Sequence, residues 1–164
     1  MPRPPAASWA LAIGGLACLA GGCGGEGPPP AVCTEGPGSV LRALARAPAP
    51  VRFPDGTRLS ACVRRARSEG DLQSVGVVIT QVADRLQDLA TGRAAARGGP
   101  GGRPAAALEL GYLIGAVESG ARTTNGVAAE LARRVEQDGA GLAGGGTSVI
   151  SALRQGRAAG QASG

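Results

Sequence analysis

Six apolar residues, Leu72, Val75, Ile79, Val82, Leu86 and Leu89, recur at alternating spacings of three and four. A strand places successive side chains on opposite faces, so only an α-helix gathers this set into one stripe. Val78 widens the stripe, as a helix packed in a globular bundle requires. The repeat covers too few heptads to argue for an independent coiled coil. Ser68-Glu69-Gly70-Asp71 reads as a capping-box start and Gly92 as a left-handed stop. A helix over 69–91 is therefore the element around which any fold of this chain must be built.

A second helix is expected after a linker at 92–104, where Gly98-Gly99-Pro100-Gly101-Gly102 breaks regular structure. Pro104 suits a first helical turn. Ala106, Leu110, Leu113, Ile114 and Val117 then form an apolar stripe, and Ala107, Gly111, Gly115 and Ser119 place a small residue at every fourth position beside it. A glycine inside a helix costs about 1 kcal/mol relative to alanine, so this ladder implies a close helix–helix approach, expected against residues 69–91. Tyr112 reads as a packing residue. Residues 120–125 read as a turn, and Val127 to Glu136 as a third amphipathic helix with Val127, Leu131 and Val135 inward, or as the kinked continuation of the second. From 139 to 164 the chain is largely glycine, alanine and small polar residues and is expected to be a disordered tail, with at most a loose turn or two around Val149, Ile150 and Leu153.

The N-terminal part of the body reads as smaller pieces. Ser39 is a candidate cap for a helix over 40–46, ended by Pro48 and Pro50, and Ser60 for one over 61–67. Between them, Val51 to Leu59 alternates apolar and polar residues around Pro54-Asp55-Gly56, the signature of a minimal β-hairpin at 51–59. From Cys23 onward, Val, Leu, Ile and Phe number 28 of 142 residues, close to the level at which chains stop folding. A core that lean benefits from a covalent staple, and Cys33 and Cys62 offer one across a loop of 29 residues. The expected fold is all-α, a small bundle of about three main helices over 33–138, with a disulfide-stapled N-terminal subdomain and disordered termini.

The first residues carry an address. Arg3 precedes an uncharged run, Ala6 to Ala20, and small residues lead into Cys23. That order is a secretory signal, and a run of about fifteen apolar residues is short of the ~20 needed to span a bilayer. Leu19-Ala20-Gly21-Gly22-Cys23 resembles the lipobox of bacterial lipoproteins, with Ala20 where that family prefers Leu and Leu19 one position further back. The resemblance covers residues 1–27 only. It implies a signal peptide at 1–22, a lipidated Cys23, a flexible tether to residue 32 and an exported, membrane-anchored protein of the cell envelope. Cys18 is a rival acceptor, and plain cleavage to a secreted soluble form stays open. Export favours a Cys33–Cys62 disulfide over free thiols.

Seventeen arginines and no lysine or histidine face twelve acids, for a formal net charge of +5. Without histidine the Ser-His-Asp and Cys-His mechanisms are closed, and without lysine so is Schiff-base chemistry. Glu109 and Glu118 would lie about 13 Å apart along one helix, at 1.5 Å per residue, too far to act together. Asp84 and Asp88 sit one turn apart but lack the cage a divalent cation needs. No metal or cofactor is expected. Phe53 and Tyr112 are the only aromatics of the body, which argues against nucleic acid. Arg58, Arg64, Arg65 and Arg67 form the densest charge cluster, able to hold phosphate or carboxylate but equally a solvated helix end. The chain thus reads as a non-enzymatic, lipid-anchored binding or structural module. Its partners would be membrane lipid through the acyl anchor and an envelope protein or anionic polymer. The alternative is a carrier of a small apolar ligand or lipid, suggested by scarce aromatic filling and extra glycines.

Overall fold

A computed structural model describes residues 27–94 and 102–164. The expected signal region, Cys23 and the centre of the glycine-rich linker lie outside them. A single 3-10 turn, Ala31–Cys33, is followed by six helices: α1 (Pro37–Leu44), α2 (Leu59–Arg65), α3 (Glu69–Thr91), α4 (Gly102–Ala121), α5 (Ala129–Ala140) and α6 (Thr147–Ser163). The all-α bundle expected from the sequence is present, with α3, α4 and α5 as its three anticipated helices.

The α3 stripe goes inward as its spacing requires: Val75, Val78, Ile79, Val82 and Leu86 are buried. Its ends follow the sequence signals. The Ser68 hydroxyl accepts from the Asp71 N–H at 3.1 Å, and Gly92 takes φ of 80° while its N–H reaches the Leu89 carbonyl. Leu72 and Leu89 lie at the margins of the core.

Helix α4 is the axis of the bundle and packs against each of the other five. Every residue from Leu110 to Val117 is buried, Tyr112 completely. Here the structure corrects the expected partner of the small-residue ladder. Gly111 and Gly115 face α6, not α3: a Cβ on Gly111 would lie 2.9 Å from the Arg157 nitrogen, and one on Gly115 would lie 2.7 Å from the Gln161 nitrogen. The contact is reciprocal. Gly156 and Gly160 of α6 lie on the backbone of α4, each 2.8–2.9 Å from a peptide nitrogen (Tyr112 and Ala116) by the same measure. The numbers rise together along both helices, so α4 and α6 run parallel, joined by α5. The expected disordered tail at 139–164 is thereby corrected too: Thr147–Ser163 is a helix, held by glycine-mediated backbone contact and not by a broad apolar face.

Smaller differences have local causes. Helix α1 starts at Pro37 because Gly36, at φ of 120°, supplies the turn and proline fits a first helical position; Ser39 lies inside and donates to the Gly36 carbonyl. Helix α2 starts at Leu59, so Ser60 is not a cap but a buried residue whose hydroxyl donates to the Gly164 carbonyl. The hairpin shrinks to one antiparallel bridge, Arg52 with Arg58, around a turn in which the Asp55 carboxylate accepts from the Thr57 N–H and hydroxyl. Helices α4 and α5 are separate, and Val127, expected inward, is half exposed in the turns between them.

The N-terminal subdomain is stapled within itself and fixed to this frame by packing and hydrogen bonds. The Cys33–Cys62 disulfide joins the 3-10 turn to α2 with its Cα atoms 5.5 Å apart. Gly120 lets α4 approach α2, where a Cβ would sit 2.8 Å from that of Val63. The buried Tyr112 hydroxyl accepts from the Val51 N–H at 2.9 Å and pairs with the Ser163 hydroxyl at 3.1 Å, tying loop, α4 and α6 together.

Two outcomes follow from this packing. Gly115→Ala or Gly156→Ala should each cost about 3 kcal/mol by overpacking, while Gly70→Ala, with nothing near its Cβ position, should gain about 0.5 kcal/mol; chemical denaturation reads both. Tyr112→Phe strands the Val51 N–H in the core and should cost about 2 kcal/mol, with faster amide exchange at Val51.

Candidate functional site

The arginines singled out by sequence density sit at and around the ends of α2. Arg58 precedes α2, Arg64 and Arg65 end it and Arg67 lies beyond it; Arg58, Arg64 and Arg67 are exposed. Arg65 is half-buried, and its enclosed Nε has no hydrogen-bond partner among the described residues. Cationic side chains at this end of α2 complement its dipole.

A different set of arginines shares a concavity. A cleft of about 400 Å³ opens between the 3-10 turn, α1 and the 52–55 loop, floored by Val32 and Ala43. Arg42, Arg46 and Arg52 line it, with Glu35 and Asp55. Arg42 lies on α1 and Arg46 four residues on, in the turn that follows it, and the loop brings in Arg52 because the Arg46 Nη1 donates to the Arg52 carbonyl at 2.9 Å. Arg52 in turn donates to the Gly56 carbonyl at 3.0 Å. Among the described residues no carboxylate pairs with any of the three. The hydrogen bonds from Thr57 hold the Asp55 carboxyl below its ordinary value, so it stays ionised and engaged with its own turn. The i, i+4 spacing of Arg42 and Arg46 is legible in the sequence; the arrival of Arg52 is a property of the folded loop.

The other polar groups serve the bundle. Arg157 of α6 donates to Glu118 of α4 and, at 2.7 Å, to Glu136 of α5, and Gln161 donates to Glu118 at 2.7 Å. The hydrogen bond that it donates to Glu118 is the main reason that the Arg157 guanidinium is held above its ordinary value. This network clasps three helices at the open side of the glycine contact. Asp84 and Asp88 lie on the rim of an open groove between α1 and α3, and Asp88 is 3.9 Å from Arg93. Among the described residues no three His, Cys, Asp or Glu side chains come together as a metal cage. Burial raises the Asp138 carboxyl, with the charge of Asp84 adding to it. A further groove between α3 and α5 is lined by Leu72, Val77 and Leu131, with Val77 50% exposed.

Burial alone raises the pKa of Glu109 on α4. A carboxyl raised in the folded state destabilises the fold wherever it is charged, and the penalty disappears as pH falls through its folded value towards its unfolded one. Glu109→Gln should therefore raise Tm at pH 7, and the gain should vanish below the ordinary glutamate range; calorimetry across pH checks this.

Among the described residues no helix is long and apolar enough to cross a membrane. No protein-family model, no curated protein and no solved structure matches this chain.

Proposed function

We propose that the protein is a lipid-anchored helical module of the cell envelope that acts by binding and not by catalysis. The observation that carries the reading is the order of features at the start of the chain: an uncharged run, small residues, Cys23, and a short tether into a stapled body. The Cys33–Cys62 disulfide supports it, since such bonds persist in oxidising compartments outside the cytosol. Lipidation of Cys23 would hold the body at a membrane surface, because two or more acyl chains anchor stably where one is marginal. The partner would be an envelope protein or an anionic polymer. The carrier alternative loses its motive in part: Gly111 and Gly115 of α4 are taken up by contact with α6 and leave no opening between those helices.

The deciding experiment is the non-reducing intact mass of the protein from the membrane fraction of a bacterial host with a working lipoprotein pathway. The expected mass begins at Cys23, carries added acyl chains and lacks two hydrogens for the disulfide. An unlipidated mass from the soluble fraction would replace the anchor with simple secretion.

A further inference from the structure

The charge of this chain is not spread evenly. Residues 31–68 hold seven arginines against two carboxylates, Glu35 and Asp55, whereas residues 69–164 hold nine arginines and nine carboxylates. The net positive charge of the body is thus confined to the N-terminal subdomain, and the bundle built on α3 to α6 is neutral. The same subdomain is the part nearest Cys23. Ala31 lines the arginine cleft and follows Cys23 by eight residues, a span of at most about 28 Å for extended chain.

Resting on the anchored reading above, we propose that the cleft of Arg42, Arg46 and Arg52 binds the phosphate of anionic phospholipid headgroups and seats the N-terminal subdomain on the membrane. The cleft has the means to do so. A guanidinium carries five N–H donors in a planar fork that matches phosphate oxygens. Arg46 and Arg52 each give a single described bond to a backbone carbonyl, and Arg42 gives none to any described residue. Three guanidiniums outnumber the two carboxylates of the cleft, and Asp55 is turned to Thr57. Its volume of about 400 Å³ accommodates a headgroup. The chemistry is that of any phosphate ester; the lipid source is favoured because the charge is confined to the end that the anchor would hold at the bilayer. A soluble polyanion would need no such placement. Basic residues at an anionic surface each favour association about fivefold, so losing three should cost about a hundredfold.

The test takes the full chain in its mature form, wild type beside an Arg42→Gln/Arg46→Gln/Arg52→Gln variant and Arg42→Gln alone. Each is studied with vesicles of phosphatidylcholine, with and without phosphatidylglycerol. Intact mass first states whether the preparation is acylated. For an acylated preparation, hydrogen exchange of amides 37–58 is read in reconstituted vesicles; for an unacylated one, flotation reads binding directly. Exchange should slow only on the anionic vesicles, high salt should reverse it, Arg42→Gln should weaken it and the triple variant should abolish it. Unacylated protein that still floats with anionic vesicles alone would sustain the headgroup site while removing the anchor. Equal behaviour on both vesicles, or an unaltered response in a triple variant whose thermal melt matches wild type, would overturn the proposal. So would protection on neutral vesicles by soluble polyglycerol phosphate that phosphatidylglycerol fails to give, which would assign the cleft to a polymer. Should the triple variant melt early, the graded loss in Arg42→Gln and the salt reversal decide the matter.

Discussion

The parallel contact between α4 and α6 is the interaction on which the remaining packing depends. Side chains of ordinary size keep helix axes about 8–10 Å apart. With Gly111 and Gly115 on one helix and Gly156 and Gly160 on the other, the peptide planes themselves meet. Each glycine hydrogen that replaces a Cβ points at a carbonyl of the facing helix, an arrangement that weak Cα–H···O attraction favours. Dispersion between closely packed backbones does in this region what aromatic bulk does in richer cores. A chain with one phenylalanine, one tyrosine and one tryptophan has little other means of filling the space around its central helix.

Everything else is arranged to keep that contact in register. The Glu118, Glu136, Arg157 and Gln161 cluster closes one side with directed bonds from α6 to α4 and α5. Tyr112 and Ser60 reach the end of α6 from α4 and α2, at Ser163 and Gly164. Through Gly120 the N-terminal subdomain, stapled within itself by the disulfide, is then held against the far end of α4. On the chain-entropy model a bridge closing a loop of this size contributes about 3.5 kcal/mol, a large share of the stability that a lean core leaves.

Much of this was legible in the sequence, and what was not has a physical reason. Helix α3 was readable because its stripe, its serine cap and its glycine stop all agree. The small-residue ladder on α4 correctly announced a close approach, but a ladder states a distance and does not name the neighbour. Helix α6 escaped because propensity treats Gly156 and Gly160 as breakers, and because its buried side is lined by glycine in place of a leucine stripe. Only matching the two glycine spacings, four residues in each case, would have paired the segments. Charge density pointed to Arg58, Arg64, Arg65 and Arg67, which lie close together in sequence; the cleft draws on Arg42, Arg46 and Arg52, which meet only after the loop folds back beside α1.

The parallel arrangement has a consequence for how the chain matures. Gly111 and Gly115 are each synthesised 45 residues before their counterparts Gly156 and Gly160, so the glycine face of α4 stays without its partner until α6 has been made. Long-range closure of this kind is slow compared with local helix formation. Until then α4 lacks the face on which the bundle closes, so the fold locks late, once α6 has followed.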